Sequence, residues 1–489
     1  MDRKRRNFLR GFATLAGAAG AQSVAAQHVH PPAAATPPVR PAVPAAPVAP
    51  VPPDKLGPGV VPVVTPDVPD MPWRLENGVK VFEIAAEHVR TEFVPGRTVD
   101  AWGFNGSVPG PTIQVNEGDR VRFIVENRLP EGFSMHWHGL EIPNEMDGMP
   151  GISQDLIPPG GTFTYEFTLH QNGTFFYHSH LAMQEMMGLI GTFVIHPKRA
   201  HAPRVDRDYA IVLQEWAILP NNTIPNTLAM EFNWLTFNGK AGPATTPLLC
   251  KVGERVRIRL VNLGMDHHPM HLHGHQFFVT GSEGGRFRAP SDEPGNTVLV
   301  GVAQARDVEF VANNPGDWHF HCHLPHHMMN QMASMVGPMT SGGGMAPGAM
   351  TAGMGIVGGR ALNPSNGPAL GRTIGPGSEA ERAAPNMPLG SGPQPTFVQP
   401  LRGAPGEDMF PGYPQDMFMV ADERMPDPGE PKPARTGSMT ARVGKPETFG
   451  LRPGWSGATM GMMTIVRVLQ PEMFDRIGEL QAQERNARR

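Results

Sequence analysis

Cysteine is nearly absent. Two in 489 residues, Cys250 and Cys322, cannot make a disulfide scaffold. Charge is scarce as well, at 18% of residues, with 41 Lys plus Arg against 45 Asp plus Glu. A formal net charge of -4 supplies no cationic field, which argues against general nucleic-acid binding. Long apolar runs are missing too. The mildly apolar stretch 11–26 is short and poor in Leu and Ile, whereas a membrane-spanning helix needs ~20 residues. What the chain does have is 57 Gly and 54 Pro, against a mainly helical protein, and 20 His and 29 Met, which point to metal.

The first 27 residues read as an export signal: a basic start, an Ala/Gly-rich run, and small residues at Ala25 and Ala26. Arg5 and Arg6 followed by Phe8 and Leu9 resemble a twin-arginine signal. The mature protein is therefore expected to be soluble, without membrane insertion, and periplasmic or otherwise exported. Residues 28–72 are a Pro/Ala/Val arm with little from which to build a core, and His28 and His30 could pick up metal weakly there.

From Trp73 the pattern becomes short alternating apolar runs cut by Gly, Pro and Asn, the language of strands. Runs at 79–84, 112–115, 120–126, 162–169 and 191–195 are followed by similar ones at 255–261, 275–280, 297–300 and 308–311. The two sets are copies. Phe104-Asn105-Gly106 returns as Phe237-Asn238-Gly239, and His136-Trp137-His138-Gly139 returns as His271-Leu272-His273-Gly274. Gly118-Asp119-Arg120-Val121-Arg122 returns as Gly253-Glu254-Arg255-Val256-Arg257. Two tandem β-sandwiches follow, at 73–200 and 201–339. Residues 340–455, rich in Gly, Pro, Ala and Met, form a long excursion. The run 460–470 resembles the strand that closes the first copy, so 456–489 is expected to close the second sandwich and end in a tail.

Four His-x-His pairs stand at 136/138, 178/180, 271/273 and 321/323. Positions i and i+2 of a strand share a face, so each pair can present two imidazoles to one metal cluster. Cys322, between His321 and His323, points to the opposite face and can serve a second centre. His268, His327 and Met332 surround it in sequence, completing the two-nitrogen, thiolate and weak thioether set of a blue copper site. Cys250 matches no such motif and reads as a small buried hydrophobe.

These motifs resemble those of the multicopper oxidases. The resemblance implies an all-β fold of two cupredoxin-like Greek-key sandwiches. It also implies four coppers per chain: one type 1, one type 2 and two type 3. It assigns His268, Cys322, His327 and Met332 to type 1, and His136 and His271 to type 2. His138, His178, His180, His273, His321 and His323 then serve the type 3 pair. Absence of a third sandwich, and Ser179 in the first copy where the second has Cys322, resemble the two-domain laccase-like type. That type carries its type 1 copper in the C-terminal domain and assembles as a homotrimer. The implied reaction draws single electrons from a small donor (phenols, aromatic amines or Cu(I)) through Cys322 and its neighbours His321 and His323, and reduces dioxygen to water. Asp147 is the candidate for orienting water or passing protons, with a turn at Asp147-Gly148 as the alternative; Glu141 and Asp266 are lesser candidates. The competing readings are a two-domain copper nitrite reductase and a non-catalytic copper-binding resistance protein. The Met-rich stretches suit the last reading and a cuprous oxidase alike.

Overall fold

The computed structural model describes residues 56–218, 222–228, 232–288, 292–329, 442–452 and 455–487. The export signal, His28, His30, Met332 and the bulk of the excursion lie outside the described residues.

The fold is all-β, two cupredoxin-like sandwiches in tandem, and the duplication extends to strand pairing. In the first sandwich Val79–Glu92 runs parallel to Arg120–Asn127, and Gly110–Asn116 runs parallel to Ile190–His196. In the second, Arg207–Trp216 runs parallel to Arg255–Asn262, and Leu248–Lys251 runs parallel to Met463–Leu469. The strand Met463–Leu469 also pairs antiparallel with Gly316–Cys322, so a segment far along the chain sits beside the Cys322 strand. The repeated Phe-Asn-Gly turns match in detail. Asn105 and Asn238 have φ of 49° and 52°, and the glycines after them 75° and 74°, as a type I′ turn requires. Asn105 accepts from the Ala85 N–H and donates to the Glu83 carbonyl. Asn238 does the same with Val212 and Ala210.

Alternation builds each core. Along Arg120–Asn127 every second residue is buried, and Phe123 meets Trp137 with ring centroids 4.2 Å apart. Trp137 points into this core because its neighbours His136 and His138 point out of it. The second core gathers Leu213, Leu260, Phe277, Phe310 and Phe320 around the buried Cys250 and Cys322.

Apolar and charged contacts both join the sandwiches. Phe93, Val99 and Val108 of the first pack with Trp216 and Trp234 of the second. Arg259 makes two 2.8 Å bonds to Asp208 and donates to Thr174 Oγ1 at 2.7 Å, while Thr174 donates to Asp307 at 2.6 Å. Thr174 belongs to Gly173–Ser179, the strand that carries His178, so the network ties a histidine-bearing strand to the second sandwich. Removing one partner of such a buried pair typically costs ~3–5 kcal/mol.

Two features differ from the sequence reading. Residues expected to be arm up to position 72 are in part packed: Val63 is 1% exposed between Val194 and Ala210, and its N–H donates to Gln114. Val64 exchanges backbone hydrogen bonds with Asp208 and Ala210. A stretch too poor to form its own core can still fill the seam between two others. The expected tail contains a helix, Pro471–Ala487, which opens on proline and is made of strong helix formers, with Ile477 packed on Leu249 and Leu469.

Candidate metal centres

Each sandwich brings its own histidine quartet together. In the first, strand Met135–His138 pairs with Gly173–Ser179 so that His136 lies opposite His178. The His136 ring is 5.2 Å from His178 and 5.3 Å from His180, and His138 Nδ1 is 3.4 Å from His178 Nε2. In the second, His271 lies opposite His321. The His271 ring is 4.9 Å from His273 and 5.4 Å from His323, and His273 Nε2 is 3.0 Å from His321 Nε2.

Backbone carbonyls fix the ring orientations. His136 Nδ1 donates to the Asp147 carbonyl at 2.7 Å, and His271 Nδ1 to the Asn296 carbonyl at 2.8 Å. His178 and His321 each donate Nδ1–H to the carbonyl of the following residue, at 2.6 Å and 2.9 Å. With Nδ1 protonated, the Nε2 atoms of these four rings carry the lone pair through which an imidazole ligates, and those of His178 and His321 face a second imidazole nitrogen. Burial, with the neighbouring imidazoles, pushes His138 and His321 down to about 4, so both rings are neutral at neutral pH. Among the described residues, no hydrogen bond or ring contact joins one quartet to the other. His273 and His323 are exposed, while no member of the first quartet is.

A different set of donors converges behind the second quartet. His268 Nδ1 and His327 Nδ1 are 3.2 Å apart, and Cys322 Sγ is 3.7 Å from the first and 3.4 Å from the second. All three residues are completely buried. Burial, with the carboxylates Glu215 and Asp266 adding to it, pushes the thiol up to about 12. Without a metal the sulfur keeps its proton; an ion that prefers thiolate would displace it. Two imidazole nitrogens and one sulfur in a dry pocket fit copper. The thioether at Met332 lies outside the described residues, but Met462 is completely buried in the same cluster as Cys322. Its carbonyl accepts from the Cys322 N–H at 3.0 Å, and its N–H donates to the His327 carbonyl at 3.0 Å. The corresponding carbonyl in the first sandwich is that of Leu189, which accepts from the Ser179 N–H.

Carboxylates surround these rings. Asp147 Oδ1 is 3.5 Å from His136 Nδ1, and Asp266 Oδ2 is 3.4 Å from His327 Nε2. The Glu141 side chain is exposed, and only its backbone N–H is engaged, with Gln171. Two acids went unnoticed in the sequence. Glu185 Oε1 is 3.3 Å from His178 Nδ1, and Glu215 Oε2 is 3.2 Å from His268 Nε2. Glu215 left a signal, an acid beside Gln214 where the apolar run 209–213 of a buried strand ends. Cys250 is buried in the same apolar core, with its thiol on the Arg467 carbonyl at 3.5 Å.

Two multicopper oxidase family models match the chain in tandem, at residues 85–200 and 218–338. Copper resistance protein A of Pseudomonas syringae pv. tomato is 38% identical over 145 residues, 30% of this chain and 24% of that protein. Laccase-2 of Botryotinia fuckeliana is 34% identical over 246 residues, 45% of this chain and 41% of that protein. The chain thus spans less than half the length of the curated relatives it matches. Among solved structures, a blue copper oxidase from Nitrosomonas europaea is 32% identical with a TM-score of 0.47, covering 51% of this chain and 80% of that one. With both family models falling on the two sandwiches that hold the donors, the chain belongs to the multicopper oxidases, as a two-domain member.

Proposed function

We propose that the protein is an exported, laccase-like oxidase that passes single electrons from a small donor to dioxygen, yielding water. One observation carries the reading: His321-Cys322-His323 belongs to two donor sets at once. The sulfur belongs to a dry pocket of one thiol and two imidazoles, and the flanking imidazoles belong to a quartet. Copper, four ions per chain in the type 1, type 2 and type 3 arrangement, would supply the one-electron steps and the dioxygen chemistry. Cys322 and its peptide links give the shortest covalent route between the centres. His136, His138, His178 and His180 would hold one half of the cluster, and His271, His273, His321 and His323 the other. Asp147, beside His136, would orient water or pass protons. Met332, five residues after His327, would supply the weak thioether of the type 1 set.

Since the quartets do not meet within one chain, the reading includes a homotrimer in which each cluster forms between neighbours. The Met-rich composition favours Cu(I) among the donors, with phenols and aromatic amines also within reach of outer-sphere transfer. The test is copper per chain on the loaded protein together with the fraction visible by electron paramagnetic resonance. About four ions, half of them silent, is the expected result for one type 1, one type 2 and a coupled pair. Two ions, both visible, would overturn it in favour of nitrite reduction. Bound copper without dioxygen consumption would leave a sequestering protein.

A further inference from the structure

Glu215 has no place in the ligand set, yet its surroundings are constructed. It sits near the end of strand Arg207–Trp216 and is 1% exposed. Its Oε1 accepts the backbone N–H groups of both Met265 and Asp266, the latter at 2.7 Å. Its Oε2 faces His268 Nε2 at 3.2 Å. Space for this carboxylate exists because residue 264 is glycine: a Cβ there would overlap both carboxylate oxygens. The loop that precedes His268 is thus folded around Glu215.

From this geometry we infer that Glu215 is a positioning residue that decides which nitrogen of His268 is free to ligate. The inference rests on the reading of His268 as a type 1 ligand. A carboxylate only accepts, so the ring must present Nε2–H to Oε2. The other nitrogen, Nδ1, is then left with its lone pair, and Nδ1 is the atom that faces Cys322 Sγ and His327 Nδ1. His327 Nε2 also faces a carboxylate, Asp266 Oδ2 at 3.4 Å, but makes no hydrogen bond to it, and the Asp266 side chain is 32% exposed, whereas Glu215 is held on both oxygens. The buried acid locks one tautomer; the partly exposed one only favours it.

Glu215→Gln separates this role from simple packing. The side chain keeps its shape, but its carbonyl must turn towards the two backbone N–H groups, since an NH2 group there would meet two donors. The NH2 group then faces His268 Nε2, which has to accept. The proton moves to Nδ1, the nitrogen that the metal needs.

Two readouts test this. In the metal-free protein, nitrogen-15 shifts of the His268 ring should report Nε2–H in the parent and Nδ1–H in Glu215→Gln. On copper loading, affinity at the thiolate centre should fall about 10–100-fold in the variant, seen as loss of the thiolate-to-copper absorption band, while copper at the histidine quartets persists. Asp266→Asn should weaken the same band less. Parent protein with Nδ1–H on His268, or Glu215→Gln with the parent's band and affinity, overturns the inference. Should the variant not fold, the tautomer of the parent decides by itself. Parent protein with Nε2–H but no thiolate band after copper loading would sink the multicopper reading instead, which keeps the two failures distinguishable.

Discussion

The two sandwiches use one backbone plan for opposite ends. Ser179 and Cys322 occupy the same point: each lies opposite a methionine, Met135 and Met270, in a paired strand, and each stands between two histidines. The turns that follow also agree, for Gln184 N–H donates to the Leu181 carbonyl and His327 N–H to the Leu324 carbonyl. The side chains do not agree. Behind Ser179 lie Phe133, Gln184 and Leu189, where the second copy has His268, His327 and Met462. Ser179 donates to Gln184 Oε1 at 2.7 Å, and Gln184 donates to Glu131 and to the Gly132 carbonyl. One copy closes the pocket with a satisfied hydrogen-bond network; the other leaves three donors facing one another. A metal pocket on this fold is therefore a matter of four side chains, while the histidine pairs on the outer face are common to both copies.

The sharpest way to break the comparison is to ask whether the two outer faces need each other. His138→Ala and His321→Ala each disable one quartet and should each abolish oxidase activity. If the cluster forms between chains, the two variants assembled together restore it, because some interfaces combine an intact first sandwich with an intact second one. In a ring built at random, about a quarter of the interfaces qualify. Mixed assembly with no recovery would mean that both quartets must come from one chain.

A smaller effect sharpens the comparison behind the strand. Met332→Leu removes the proposed thioether while keeping the volume close. The reduction potential of the thiolate centre should rise, as it does when a weak axial donor is lost. Met462→Leu, which places in the second copy the residue that the first copy has at this point, should leave it unchanged. The reverse pattern would move the thioether to position 462.

Much of this was legible in advance, and the reasons are physical. A histidine at i and i+2 fixes a face whatever the strand's surroundings, so the outer quartets could be read from spacing alone. The Phe-Asn-Gly repeat marks the duplication, and both copies form the same left-handed turn, which few residues other than Asn and Gly tolerate. Spacing fails where partners come from far along the chain. The backbone of Met462 reaches Cys322 through the pairing of Met463–Leu469 with Gly316–Cys322, across more than a hundred residues of intervening sequence. Glu215 shows in the sequence only as an acid in a buried strand; its role does not, since its partners are in the loop before His268 and in His268 itself. The packing of Val63 depends on two surfaces that exist only after both sandwiches fold.

The smallest expected effect is no effect on copper at all. Ser179→Cys with Gln184→His supplies the first sandwich with two of the three donors of the second. Phe133 still stands where His268 does, completely buried, its N–H and carbonyl both paired with Ile157. A thiol and one imidazole without a third donor leave an ion half-ligated in an apolar pocket, so the double variant should take up no further copper and show no second thiolate band. It should instead lose stability, by about 1–3 kcal/mol in urea unfolding, because Glu131 and the Gly132 carbonyl lose the amide that satisfied them. A second thiolate band from this variant would show that Phe133 is no barrier. The difference between the copies would then lie in the cysteine and one histidine.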